Sequence, residues 1–164
     1  MLYCHPLLQR RAAHPRVAKW RHAADDRECE DIVVSPDHAP GTERLLLRTR
    51  NSGLWAAEVT DFRKEYVALT DDAASWIEDQ DIRLIGVDYF SVQGYNESPL
   101  THQILLGAGV VIVEGLNLAD VQPGTYEFVC LPFGLVGAEA APPHAVLRYK
   151  PAVDSQRLAS WRNP

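Results

Sequence analysis

His102 and Glu114 are the residues of this chain whose types and spacing best suit chemistry. A neutral imidazole and a carboxylate brought to one point suit a divalent ion such as Zn²⁺ or Mn²⁺. Spacing alone leaves plainer uses open. A lone histidine near a helix start is more often a surface or capping residue, and a glutamate after an apolar strand is more often solvated. No separate zinc motif accompanies the pair.

The elements around them decide whether they meet. Ser98-Pro99 is expected to open a helix, with Ser98 as cap and Pro99 at the first helical position, where its missing N–H costs nothing. His102 then lies in the first turn, and Gly107 or Gly109 ends the helix. Val110 to Val113 reads as a buried strand closed by Glu114-Gly115. The helix from His102 to Gly107 rises roughly 8 Å, and the strand from Val110 to Glu114 travels about 13 Å. A strand running back beside the helix therefore carries both side chains to one end of the layer.

Further out the texture is α/β. Ile32 to Val34 is a short β-type run, and Arg44 to Thr49 a buried strand bracketed by charges. Asn51 to Trp55 reads as a polar loop with one large aromatic. Thr70 caps a helix through about Gln80, with Asp71 and Asp72 in its first turn. Arg83 to Asp88 is an apolar strand ending in a carboxylate, and strand, loop, helix, strand in this order is α/β logic. Gln122-Pro123-Gly124 turns into a strand over Tyr126 to Leu131, and His144 to Tyr149 is the last strand. Asp88 is expected either to orient a histidine ligand or to cap its strand end, with Ser91 beside it. Trp55 is expected in an aromatic-substrate pocket, or in the core or an interface.

Composition bounds the rest. A chain of 164 residues, 46% hydrophobic and 23% charged, is expected to be one domain with an ordinary core. No apolar run approaches the roughly 20 residues of a membrane span, and a secretory signal is not expected from the residues after Met1. Cys4, Cys29 and Cys130 follow no paired spacing, which points to reduced thiols in the cytoplasm. A net charge of −6 argues against a general nucleic-acid binder. Residues 1–30 carry six Lys/Arg against four Asp/Glu without a helical stripe. They read as an irregular leader, with a weakly supported amphipathic helix over Val17 to Ala24. Residues 151–164 read as a polar tail.

Three runs combine into a resemblance: Leu84-Ile-Gly-Val-Asp-Tyr-Phe-Ser91, His102-Gln-Ile-Leu-Leu-Gly-Ala-Gly-Val-Val-Ile-Val-Glu-Gly-Leu116, and Pro123-Gly-Thr-Tyr-Glu-Phe-Val-Cys-Leu-Pro132. Leu46-Leu-Arg-Thr49 and Asn51-Ser-Gly-Leu-Trp55 add to it. Residues 31–150 resemble the C-terminal part of the cyclase family of metal-dependent hydrolases, which includes bacterial kynurenine formamidases. The resemblance implies an incomplete swivelling β/β/α domain assembled as a dimer or tetramer. It implies His102 and Glu114 as ligands of zinc or manganese, and hydrolysis of an amide or similar C–N bond in a small molecule such as N-formylkynurenine. His144 falls where the family has a residue close to its pocket, though a surface histidine is the ordinary expectation. The family's other ligands sit in an H-x-x-x-H-x-D-x-x-x-H motif that no stretch of this sequence matches. His5, His14 and His22 are nine and eight residues apart, and His38 has no second histidine near it. On this reading the chain holds half a metal site, and a non-catalytic remnant or interaction subunit is the rival expectation. A small ligand-binding domain using the Asn51 to Trp55 loop is a third.

Overall fold

The computed structural model describes residues 41–56 and 61–149, together with three short strands nearer the start of the chain. Those strands are β1 (Leu2–Pro6), β2 (Trp20–His22) and β3 (Glu28–Cys29). β4 (Arg44–Arg48), β6 (Leu84–Val87) and β7 (Val111–Val113) follow in the same parallel sheet as β1, in the order β7-β6-β4-β1. β2 is flanked by β3 and by β5 (Val67–Leu69), antiparallel to both. The reading of residues 1–30 as irregular gives way at these strands. The proposed helix over Val17 to Ala24 is interrupted by a strand at Trp20 to His22. These strands take their form from neighbours distant in sequence, so local periodicity does not announce them. The Ile32 to Val34 run and the tail at 151–164 lie outside the described residues.

β4 shows why the parallel sheet holds. Leu45 and Leu47 project to one face and Leu46 to the other, and all three are fully buried. Strands covered on both faces read as continuous apolar runs rather than alternating ones. Leu45 and Leu47 pack with Leu69, Ile77, Ile85 and Leu105 in the main core. On the opposite face Gly86 makes room. A Cβ there would stand 2.2 Å from Leu46 Cδ2 and 2.7 Å from Leu116 Cδ1.

Helix α2 (Asp71–Asp79) starts as expected at Thr70, whose side chain accepts from the Ala73 N–H, and it buries Ala73, Ala74 and Ile77. Helix α3 (Leu100–Gly107) begins one residue later than expected. Pro99 is itself the N-cap, and no side chain caps the helix. Gly109, at φ +73°, takes the left-handed position past the helix end and lets Val110 N–H reach Leu105 O at 2.9 Å. The stretch read as a loop at Asn51 to Trp55 is instead a one-turn helix, α1 (Ser52–Ala56). Its physical cause is the carboxylate of Asp88, described below.

The chain divides into two compact units, Met1–Gly124 and Thr125–Pro164, where its length predicts one domain and its motifs suggest breaks near 30 and 150. In the second unit β8 (Gly124–Pro132) and β9 (Pro143–Tyr149) form an antiparallel hairpin, from Tyr126 opposite Tyr149 to Pro132 opposite Pro143. Glu127 pairs with Arg148 across it. No helix among the described residues is long and apolar enough to cross a membrane.

Candidate metal-binding site

β4, β6 and β7 run parallel, so their C-terminal ends lie along one edge of the sheet. Thr49, Asp88 and Glu114 each directly follow one of these strands. That edge is where open parallel sheets usually place their binding groups.

At β7 the structure brings the predicted pair together. His102 Nε2 stands 3.4 Å from Glu114 Oε1, and each side chain is about one-third exposed (34% and 33%). α3 delivers the histidine because Thr101, one residue before it, is fully buried. The Thr101 hydroxyl donates to Asp71 Oδ1 at 2.8 Å, tying the start of α3 to the start of α2. The short segment Ser91 to Gln93 then holds both site residues from outside. Val92 N–H donates to Glu114 Oε1 at 2.8 Å, and Gln93 Oε1 lies 3.0 Å from His102 Nδ1. The segment is itself fixed. Leu69 N–H donates to Val92 O at 2.8 Å, Gln93 N–H donates to Ser91 Oγ at 3.2 Å, and the buried Tyr66 hydroxyl donates to Gln93 O.

Tyr66 senses this environment. Burial raises the pKa of its phenol above the ordinary value, a hydrogen bond with Ser91 pulls the other way, and the charges of Tyr89, Glu114 and Glu97 add to the rise.

Asp88 does something else. It is fully buried. Its Oδ2 accepts from Thr49 N–H at 2.6 Å, Ser52 N–H at 3.0 Å and Ser52 Oγ at 2.6 Å. Its Oδ1 accepts from the Thr49 hydroxyl at 2.8 Å. The role shown is neither a cap on its own strand end nor, among these hydrogen bonds, a contact with a histidine: the Asp88 carboxylate caps the N-terminus of α1 through Thr49 and Ser52. Asn51 is buried in the same knot, bonding the backbone of Val67 through both side-chain ends at 2.9 Å. The polar residues that suggest a binding loop are thus turned inward.

Trp55 donates from Nε1 to Asp88 O at 3.0 Å and meets Phe90 edge-on at a centroid distance of 5.2 Å. The two rings line an open cleft with Leu54, Asp61, Arg63 and Tyr89. Phe90 also reaches the vicinity of Gly115, the residue after Glu114, whose N–H donates to Tyr89 O at 2.7 Å. His144 is exposed on β9, opposite Leu131, in the second unit. Sequence reasoning missed Gln93 and Tyr66. Their only sequence signal is position, Gln93 being two residues past Ser91 and Tyr66 beginning the buried run into β5.

The pair also fits a metal by distance. Two ligand atoms about 2.0–2.1 Å from a tetrahedral zinc stand about 3.3–3.4 Å apart, and the observed separation is 3.4 Å. No group of three or more His, Cys, Asp or Glu side chains suited to a metal converges among the described residues.

Comparison with known proteins identifies the fold these residues belong to. The chain is 41% identical over 119 residues to cyclase-like protein 1 of Arabidopsis thaliana, covering 71% of this chain and 47% of that protein. It is 38% identical over 112 residues to a kynurenine formamidase of Bacillus cereus, covering 68% and 52%. The chain belongs to the family of the cyclase-like proteins and kynurenine formamidases. A kynurenine formamidase of Sphingopyxis alaskensis is likewise 38% identical over 129 residues, covering 78% and 59%. A solved structure described as a potential metal-dependent hydrolase with cyclase activity superimposes with a TM-score of 0.59 at 37% identity, over 68% of this chain and 52% of the other. The α/β reading and its cyclase-type fold are thereby established. No protein-family model matches the chain. The chain spans about half the length of the curated relatives it matches.

Proposed function

We propose that this chain serves a metal-dependent hydrolase that opens an amide or similar C–N bond of a small molecule, with N-formylkynurenine as the type of substrate. His102 and Glu114 would hold zinc or manganese. The observation that carries the reading is the 3.4 Å separation of His102 Nε2 and Glu114 Oε1, the bite of two ligands on one ion. The names of the related formamidases and hydrolases support the reaction class. When bound, a divalent ion supplies Lewis-acid polarisation of a carbonyl and makes a water a stronger nucleophile at neutral pH. The chain's own residues orient: the Ser91 to Gln93 segment fixes the two ligands, and the cleft of Trp55, Tyr89 and Phe90 offers flat apolar walls for the arylamine part of such a substrate. A catalytic zinc ordinarily takes three protein ligands, so the proposal places at least one more outside the described residues.

Assembly with copies of itself and a cytoplasmic location belong to the same proposal. Self-assembly is supported by the exposed apolar run Leu131, Phe133, Leu135 and Val136 in the second unit.

The test measures zinc and manganese in the purified full chain, then turnover of N-formylkynurenine with each metal added. Stoichiometric metal that is lost in His102→Ala and in Glu114→Ala, together with turnover, is the expected result. A folded chain that takes up neither metal and turns over no substrate would overturn the proposal in favour of a non-catalytic subunit.

A further inference from the structure

A metal held as proposed needs one ring nitrogen of His102 free of its proton, and the surroundings of Gln93 decide which nitrogen that is. His102's backbone N–H lies 3.4 Å from one end of the Gln93 amide, and an N–H is an obligate donor. The other end of the amide lies 3.4 Å from the backbone carbonyl of Glu97, an obligate acceptor. The oxygen of Gln93 therefore points at His102 and its NH₂ at Glu97, and the amide cannot flip without facing like groups at both ends. The same oxygen lies 3.0 Å from His102 Nδ1. A carbonyl oxygen has no proton to give, so Nδ1 must carry one. In the neutral ring the lone pair is then on Nε2, the nitrogen 3.4 Å from the Glu114 carboxylate.

We infer that Gln93 is the positioning residue that sets the His102 tautomer, leaving Nε2 and Glu114 Oε1 as two lone-pair donors aimed at the same small volume. Without Gln93, the neutral ring gains most by placing its proton on Nε2 and donating to Glu114, which closes that volume to a cation. The backbone of Gln93 is clamped for this task by Ser91 Oγ and the Tyr66 hydroxyl. The side chain reaches His102 across nine residues of sequence. Outer partners that fix a ligand histidine typically change metal affinity by about 10–100-fold when removed.

The inference rests on the metal reading only for its consequence. The tautomer can be read in protein without metal. Long-range ¹H–¹⁵N imidazole correlation spectra of the full chain, stripped of metal and held at about pH 8.5, well above an ordinary imidazole pKa, show which ring nitrogen is protonated. The signals absent from His102→Asn identify His102. Expected is an Nδ1–H ring in the wild type and an Nε2–H ring in Gln93→Met. Zinc titration of the same proteins should give at least about tenfold weaker binding in Gln93→Met. An Nε2–H ring in the wild type would overturn the inference, whatever the variants do. So would an Nδ1–H ring surviving in Gln93→Met. An Nδ1–H ring in a wild type that binds no zinc would uphold the positioning role and count against the proposed function instead.

Discussion

At the scale of single residues, buried polar groups at the sheet edge divide into those spent on structure and those left for chemistry. Among the described residues Asp88 is spent on structure. Its carboxylate is the acceptor for Thr49 N–H, Ser52 N–H and two hydroxyls, all in a fully buried setting. Truncation would strand these donors, each at about 1–3 kcal/mol. Asp88→Ala should therefore lower stability by roughly 3–5 kcal/mol, allowing for partial rescue by water. Urea titration reads this as a lower midpoint at unchanged slope, and a loss below about 1 kcal/mol would contradict the clasp. Tyr66 gives a second expectation, in alkaline solution. Burial, the largest cause, raises its phenol above the ordinary value of 10.0. The folded state thus keeps a proton that the unfolded state gives up. The stabilisation is whole below the unfolded pKa and is lost as pH rises through the folded one. Stability should decline from about pH 10 upward in the wild type, and less steeply in Tyr66→Phe. Parallel slopes for the two proteins in that range would remove Tyr66 from the account.

Among the elements, the α3–β7 unit was the legible part, although the strand read as buried from Val110 to Val113 starts at Val111, which is 55% exposed at this edge of the parallel strands. It is local, with a proline start and a Gly109 stop, and the rises of a helix and a strand already carried His102 and Glu114 to one end. α2 was legible for the same reason, through Thr70 and its acidic first turn. What was not legible depends on distant partners. β1, β2 and β3 have no pattern of their own and form by pairing. β5 is three residues long and buried at every one, so it has no alternation to read. α1 owes its turn to a carboxylate 36 residues further along the chain. Gln93 faces His102 only because the loop before α3 folds back. Close packing between elements makes its own demand at Gly86. A methyl group there would sit 2.2 Å from Leu46 Cδ2 and 2.7 Å from Leu116 Cδ1. Because Leu46 is itself fully buried between strands, it has little room to withdraw, and overpacking of this kind costs about 1–3 kcal/mol. Gly86→Ala should lose that much in thermal or urea unfolding, and Gly86→Val more. An alanine variant as stable as wild type would mean the two leucines move freely.

For the whole molecule, metal binding and folding are one equilibrium. His102 comes from α3 and Glu114 from the end of β7, and the segment that fixes both is tied to β5 and Tyr66. None of these meetings exists in the unfolded chain, so an ion held by the pair binds the folded state alone and must stabilise it. At 100 times its dissociation constant such an ion contributes about 2.7 kcal/mol. For a chain of this size that is a rise of roughly 5–10 °C in Tm. Zinc or manganese added to stripped protein should raise Tm in proportion to the logarithm of metal concentration once past saturation, and chelator should reverse it. His102→Ala and Glu114→Ala should each abolish the response. A rise that survives both substitutions would assign the metal to other residues, because weak binding to scattered surface carboxylates does not depend on this pair. The thermal response needs no substrate and no turnover, so it tests the His102–Glu114 site apart from the reaction proposed for it.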